Sequence, residues 1–269
     1  MICIWDFDGV LCNSLYECAT VSHFAMQLLE GTLPALSRHV VETTLESGEV
    51  EALTEALRPY RPYVVDGKDY LYQIEYFVRS NRQFSSSKAY WKAFDALVDE
   101  AKSRKFDTIF YGTRRDLQYL LENRYDTLFT AYNEAVEALR DSTELFDTYI
   151  CTARDKAAVI SFLKMANLPF DEQKIYSRDF NGMYDNVGLG KSQQIGRILK
   201  ANGGLQQKFV LIEDQAKAPL ELCETCTAMT VLRAAYGYGD AEQWAKLPED
   251  RHQTIQEPKH LGESLRQFK

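Results

Sequence analysis

The position of the first apolar run most constrains how this chain can fold. That run spans residues 2 to 7, and the next run typical of a strand, LFDTYICTA, comes only at residues 145 to 153. One short strand cannot form a sheet by itself, so we expect it to pair with strands encoded much later in the chain. The residues between the two runs then form an insertion placed directly after the first strand.

The insertion has the periodicity of helices. Ser14 is a candidate N-cap, and apolar residues recur after it at roughly helical spacing. The same period returns in three further stretches, 70–78, 90–101 and 117–139. The two prolines within residues 58–66 must interrupt helix there. We therefore expect residues 12–144 to form an all-helical domain.

After residue 144 the predicted strands alternate with predicted helices. The further strands are expected at 174–177, 208–214 and 228–232, and the helices at 155–167, 192–201 and 216–224. This alternation is typical of parallel strands joined by crossover helices. We predict an α/β fold in which residues 1–11 and 145–269 form a Rossmann-like core with a parallel sheet.

Charge and hydropathy exclude several classes of protein. The 39 acidic and 31 basic residues give a formal net charge of -8, which disfavours nucleic acid and anionic membrane as partners. We find no basic leader and no apolar stretch near the ~18 residues that a membrane span needs, so we expect a cytoplasmic protein. The six cysteines are expected to be reduced structural thiols, because the Cys223–Cys226 pair lacks a second pair to complete a zinc site.

Several of the apolar runs predicted to form strands are followed directly by polar residues. They are Asp6, Asp8 and Gly9 after the first run, Thr152, Ala153 and Arg154 after the second, and Glu213 and Asp214 after the run KFVLI, with Lys191 opening the preceding helix. Ligands bind beyond the carboxyl ends of parallel strands, so we expect these residues to converge. Several carboxylates at one site require a cation among them, and an all-oxygen set suits Mg²⁺.

These residue types suit phosphoryl transfer. Of the two acids in DFD, one can attack phosphorus while the other shuttles a proton, and Gly9 allows the sharp turn that brings both to one volume. The Thr152 hydroxyl can donate to a phosphoryl oxygen. The Lys191 ammonium supplies positive charge to the nucleophile and the phosphoryl group.

The segment DFDGVLCNS at 6–14, together with Thr152, Lys191 and the run into Glu213 and Asp214, resembles the four motifs of the haloacid dehalogenase superfamily. It is similar to the phosphoglycolate phosphatase-like branch. The resemblance implies that Asp6 is the nucleophile and a metal ligand, and that Asp8 is the general acid and base. It further implies that the Asp8 backbone carbonyl also binds the metal, that Thr152 and Lys191 contact phosphate, and that Glu213 and Asp214 complete the metal shell.

The family places a helical cap between its first two motifs, where this chain has residues 12–144. This insertion is larger than the usual cap of the branch. Substrate contacts are assigned to Gly9, Ala153 and Arg154 in the core and to Arg58 and Arg61 in the cap, near the proline break. Surface charge is the alternative interpretation of the two cap arginines and of Lys68, and the cap tyrosines at 60, 63, 70, 72 and 76 are expected to form its core.

Several motif residues also admit a second interpretation. Lys156 is the rival of Lys191, because Ser192 stands where many relatives have proline after the lysine. Glu213 and Asp214 could instead be a charge pair at a helix N-terminus. Thr152 could be an ordinary strand-end or N-cap residue.

The predicted function is Mg²⁺-dependent hydrolysis of a small phosphomonoester through an aspartyl-phosphate intermediate. The family's dehalogenases lack the second acid, so Asp8 favours phosphate over halide. A phosphomutase of the same fold and a non-catalytic protein that binds a phosphorylated metabolite are the competing hypotheses. The sequence does not identify the ester or the oligomeric state.

Overall fold

The computed structural model describes residues 1–177 and 190–269. The chain divides into two compact units, of which the first comprises residues 1–13 and 130–269 and the second residues 14–129. These bounds differ from the predicted 12–144 insertion, because residues 12–13 and 130–144 group with the unit that contains the main sheet.

Six parallel strands form the main sheet of the first unit, in the order β5-β4-β1-β6-β7-β8. The described strands are β1 (Ile2–Trp5), β2 (Cys12–Asn13), β3 (Thr130–Ala131), β4 (Asp147–Cys151), β5 (Ile175–Tyr176), β6 (Phe209–Glu213), β7 (Met229–Ala234) and β8 (His252–Ile255). The predicted α/β fold with a parallel sheet is therefore confirmed.

The first strand lies in the middle of this sheet. Ile4 of β1 is paired with Tyr149 of β4 on one side and with Leu211 of β6 on the other. All four residues of β1 are buried, which explains the uninterrupted apolar run, since a parallel strand covered on both faces has no polar side to alternate with. The prediction that this strand joins the later sheet is correct.

Two features of the sheets are not predicted by the pattern of apolar residues in the sequence. Strand β8 forms an edge of the main sheet although its residues, HQTI, include only one apolar side chain, so no apolar run marks it. Strands β2 and β3 form a two-stranded antiparallel sheet, in which Cys12 is paired with Ala131. The prediction that residues 12–144 are all-helical is therefore wrong at residues 12–13 and 130–131, because two-residue strands are too short to show a period.

Helices dominate the second unit. They are α1 (Leu15–Glu30), α2 (Arg38–Glu46), α3 (Glu49–Leu57), α4 (Asp69–Tyr72), α5 (Ser87–Asp95) and α6 (Glu100–Leu121). The proline-containing stretch Arg58–Tyr63 is a 3₁₀ helix directly after α3, as the predicted break requires. Residues 73–78 continue α4 as a π-helix and residues 122–128 continue α6 as a 3₁₀ helix.

Aromatic side chains fill the core of the second unit. Of the five tyrosines predicted to form the core, Tyr60, Tyr70 and Tyr72 are buried, whereas Tyr63 and Tyr76 are half-buried. Tyr63 stacks on Tyr90 with ring centroids 4.2 Å apart. These tyrosines therefore stabilise the helical unit through ring packing.

The first unit carries the remaining described helices. They are α7 (Asn133–Leu145), α8 (Lys156–Met165), α9 (Lys191–Ala201), α10 (Lys217–Leu222), α11 (Ala241–Trp244) and α12 (Leu261–Arg266). Helix α7 is anchored to the sheet because the indole nitrogen of Trp5 donates a hydrogen bond of 3.1 Å to the Ser142 hydroxyl. Helix α7 also packs against α12, and residues 133–144 belong to the sheet-containing unit.

All six cysteines lie in the described part of the chain as thiols, and five of them are buried. This agrees with the expected structural role. Among the described helices, none combines the length and apolar character that crossing a membrane requires.

Candidate active site

The turn after β1 places two acids at the carboxyl end of the main sheet. Asp6 follows the last residue of β1, and its backbone N–H donates to the Ile212 carbonyl at 2.9 Å. Gly9 then reverses the chain at a φ of +79°, a left-handed conformation that favours glycine. A Cβ at this position would also lie 2.2 Å from Asp214 Oδ2. The turn thus requires glycine for both its conformation and its close contact with Asp214.

A lysine joins the nucleophile candidate to the second acidic segment. Lys191 is the first residue of α9, and its Nζ lies 2.7 Å from Asp6 Oδ2 and 2.8 Å from Glu213 Oε2. Sequence spacing alone left Lys156 as a rival; that residue is the first of α8. The contacts of Lys191 with two predicted site carboxylates favour it as the functional lysine.

Glu213 and Asp214 end the neighbouring strand. Glu213 is fully buried, and its Oε1 accepts the backbone N–H groups of Asp214 and Gln215 at 3.1 and 3.0 Å. The Glu213 side chain therefore fixes the turn after β6 with one oxygen while the other accepts from Lys191. These contacts exceed what a solvated charge pair at a helix N-terminus would make, so we favour the site interpretation.

Burial and the charges of neighbouring groups shift the pKa values of Asp6, Glu213 and Lys191. Burial raises the pKa of Asp6 well above its usual range, and the Glu213 carboxylate raises it further, while Lys191 acts in the opposite direction. Burial likewise raises the pKa of Glu213, against the effect of Lys191. Burial alone would lower the pKa of Lys191, but Asp6 and Glu213 raise it above its ordinary value. One ammonium group thus neutralises the acids only in part.

The same carboxylates suit a divalent cation. One oxygen from each of Asp6, Glu213 and Asp214 can be chosen so that all lie within 4.8 Å of one another, and all three residues are buried. Carboxylate oxygens are the donors that Mg²⁺ prefers, and a double positive charge would offset the repulsion that raises the pKa of Asp6. The residues present therefore fit the predicted metal.

Asp8, the fourth predicted metal ligand, directs its carboxylate elsewhere. Arg154 Nη2 lies 2.7 Å from Asp8 Oδ1, and Arg154 Nε lies 3.1 and 3.2 Å from the two carboxylate oxygens. The Arg154 side chain is 1% exposed and that of Asp8 19%. Arg154, assigned to substrate from the sequence, therefore contacts the predicted acid and base. A metal contact through the Asp8 backbone carbonyl stays a prediction.

The other predicted core contacts lie on the turn after β4. The hydroxyl of Thr152 is buried and accepts the backbone N–H of Arg154 at 3.2 Å, so it shapes the turn that presents the arginine. Ala153, between them, is exposed. Phosphate contacts by Thr152, Ala153 and Gly9 stay predictions.

The two predicted cap arginines belong to the second unit. Arg58 is exposed and forms an ion pair of 2.5 Å with Glu55, whereas Arg61 is buried at 7% exposure. The alternative interpretation as a solvated surface charge therefore does not apply to Arg61. Their assignment to substrate stays a prediction.

The sequence interpretation missed the role of residues 236–240, YGYGD. They lie between β7 and α11, and the backbone N–H of Tyr238 donates to Asp214 Oδ2 at 2.8 Å. Strand β8 follows α11, so this segment does not come after the last strand of the main sheet. The closely spaced glycines, Gly237 and Gly239, were the available signal of a close backbone approach.

Comparisons with known proteins support the fold. No protein-family model matches the chain, and no curated protein matches it. Among solved structures, a predicted phosphatase from Clostridium acetobutylicum has a TM-score of 0.61 at 12% identity, with 99% of this chain and 98% of that chain covered. A predicted phosphoglycolate phosphatase from Haemophilus somnus has a TM-score of 0.60 at 13% identity, with 100% and 97% covered.

A third similar structure bears the superfamily name. It is a haloacid dehalogenase-like hydrolase from Streptococcus pneumoniae, with a TM-score of 0.55 at 15% identity and 100% and 98% of the two chains covered. At such identities the likeness concerns the fold, and it extends over the full length of these proteins. The chain has the fold of the haloacid dehalogenase-like hydrolases.

Proposed function

We propose that this protein is a Mg²⁺-dependent phosphohydrolase that acts on a small phosphomonoester through a phosphorylated Asp6. The observation that carries the proposal is the contact of the buried Asp6 carboxylate with Lys191 at 2.7 Å, beside the two further acids Glu213 and Asp214. The similar solved structures described as phosphatases add support.

In the first step, an Asp6 carboxylate oxygen attacks phosphorus. The bond from phosphorus to that oxygen forms, the bond to the ester oxygen breaks, and Asp8 gives a proton to the departing oxygen. Lys191 forms an ion pair with Asp6 and stabilises the negative charge of the phosphoryl group during transfer.

In the second step, water attacks the phosphorus of the phosphorylated Asp6. Asp8 takes the proton of this water, the bond from phosphorus to the Asp6 oxygen breaks, and inorganic phosphate leaves. The Arg154 guanidinium contacts both carboxylate oxygens of Asp8 and so orients the side chain for these proton transfers.

Asp6, Glu213 and Asp214 are the residues that would hold the metal. When bound, Mg²⁺ supplies positive charge that neutralises the acids and polarises the phosphoryl group. A small phosphorylated metabolite is the proposed substrate, and a cytoplasmic location stays a prediction.

The test is phosphate release from a panel of phosphorylated metabolites with Mg²⁺, run beside a chelated sample and Asp6→Asn. Asp250→Asn is the matched control, because Asp250 is an exposed acid in the same unit. We expect release from a few related esters by the wild type and Asp250→Asn, and none by Asp6→Asn or the chelated sample.

The same panel separates the competing hypotheses. Release that requires a bisphosphate activator would favour a phosphomutase. Turnover that Asp6→Asn retains would refute the covalent mechanism. Binding of an ester with no turnover under any condition would favour a non-catalytic binding protein.

A further inference from the structure

Residues 236–240, here called the tyrosine–glycine loop, contact two segments of the candidate site. The backbone N–H of Tyr238 donates to Asp214 Oδ2 at 2.8 Å, and its hydroxyl donates to Asn13 Oδ1 at 2.7 Å. The Tyr236 hydroxyl donates to the Val10 carbonyl at 3.0 Å. The loop thus contacts both the acid after β6 and the turn that follows Asp6.

Two glycines let the loop approach this closely. A Cβ at position 237 would lie 2.5 Å from the Gly9 carbonyl oxygen and 2.6 Å from the Asp214 Cβ. A Cβ at position 239 would lie 1.8 Å from the Asp214 carbonyl oxygen. Neither glycine has a positive φ, so the requirement at both is space and not backbone conformation.

A buried tryptophan that follows the tyrosine–glycine loop in the chain also binds Asp214. Trp244, the last residue of α11, is 1% exposed, and its indole nitrogen donates to the Asp214 backbone carbonyl at 2.8 Å. Asp214 therefore has its carboxylate bound by the loop backbone and its main chain bound by a buried side chain. The two contacts leave little freedom to the position of its carboxylate.

We infer that the tyrosine–glycine loop and Trp244 position Asp214 for metal binding, with Gly237, Gly239 and Trp244 as positioning residues. The inference rests on the proposed function, because it assigns these residues to the metal site of that reaction. Groups that orient a ligand from outside the ligand shell typically change metal affinity about 10- to 100-fold when they are altered. Loss of positioning should therefore appear in Mg²⁺ affinity.

The experiment compares Mg²⁺ binding by calorimetry in the full-length wild type, Gly237→Ala, Trp244→Phe and Gly262→Ala. Gly262 is the matched control, since a Cβ there meets its nearest atom only at 4.0 Å. We expect Gly237→Ala to raise the Mg²⁺ dissociation constant about 10- to 100-fold and Gly262→Ala to leave it unchanged. Trp244→Phe keeps an aromatic ring in place and removes the N–H donor, so it serves if Gly237→Ala does not fold.

A second readout separates positioning from general damage. If the variants merely loosen Asp214, raising the Mg²⁺ concentration should restore most of the phosphatase rate, whereas structural damage would not respond to Mg²⁺. Wild-type affinity in both Gly237→Ala and Trp244→Phe, or a defect that excess Mg²⁺ does not offset, would overturn the inference. A wild type that binds no Mg²⁺ and releases no phosphate would instead overturn the proposed function.

Discussion

Asp8, the predicted general acid and base, forms an ion pair with Arg154. The guanidinium contacts both carboxylate oxygens and is almost fully buried, so its position is fixed by packing and by the turn that Thr152 shapes. A buried, bidentate arginine orients a carboxylate much better than a solvated lysine can. We therefore expect Arg154 to act on catalysis mainly through Asp8.

Arg154→Gln separates the two roles considered for this residue. If Arg154 positions Asp8, kcat should fall about 10- to 100-fold while KM changes little, because a general acid and base contributes about 10²- to 10⁴-fold to rate. Steady-state kinetics on the ester identified by the panel provides the measurement. Arg197→Gln is the control, since Arg197 is an exposed arginine of the same unit. A large rise in KM with unchanged kcat would restore the substrate-binding role.

At the scale of elements, a buried ion pair joins the first and last long helices of the second unit. Arg114 of α6 lies 2.7 Å from Glu17 of α1, and their side chains are 5% and 0% exposed. The Tyr125 hydroxyl also donates to Glu17. Removal of one partner from such a pair leaves an uncompensated charge in the interior. The pair therefore favours the arrangement of α1 and α6 in which both charges are matched.

Arg114→Met should destabilise the protein by about 3–5 kcal/mol, the usual cost of breaking a buried pair from one side. The measurement is the free energy of unfolding from urea titration. Arg104→Met provides the comparison on the same helix, because Arg104 and Glu100 are 76% and 85% exposed, and an exposed pair contributes only about 0–1 kcal/mol. Equal losses in the two variants would contradict the expected difference, whereas Glu17→Met combined with Arg114→Met should recover part of the stability.

At the scale of the whole molecule, the proposed metal site joins distant parts of the chain. Asp6 follows the first strand, whereas Glu213 and Asp214 follow β6, and only the folded sheet brings them together. The unfolded chain therefore offers no comparable site. Metal binding and folding should be thermodynamically linked.

Mg²⁺ should raise the stability of the wild type by about 2.7 kcal/mol when its free concentration is about 100 times the dissociation constant. Thermal unfolding with Mg²⁺ and with chelator measures this difference. Asp214→Asn should lose most of the effect, since it removes one carboxylate charge from the site. A wild type whose unfolding does not respond to millimolar Mg²⁺ would contradict the linkage.

The sequence by itself determined the α/β class, the return of the first strand to a later sheet and the residues at the carboxyl ends of the strands. Each follows from a local signal, either an uninterrupted apolar run or a polar residue that ends it. Asp6, Glu213 and Asp214 could be named in this way because ends of parallel strands meet at one edge of a sheet. Lys191 could be named because it opens the helix that precedes the strand ending in Glu213.

Only the tertiary structure decided the features that depend on distant partners. Strand β8 has one apolar side chain and forms through its pairing with β7. Helix α7 groups with the sheet, to which the hydrogen bond from Trp5 to Ser142 connects it. The pairing of Arg154 with Asp8 and the contact of the tyrosine–glycine loop with Asp214 likewise join residues far apart in the chain. The periodicity of apolar residues predicts which face of a helix or strand is buried. It does not predict which residues that face contacts, because those contacts are determined by how distant elements pack together.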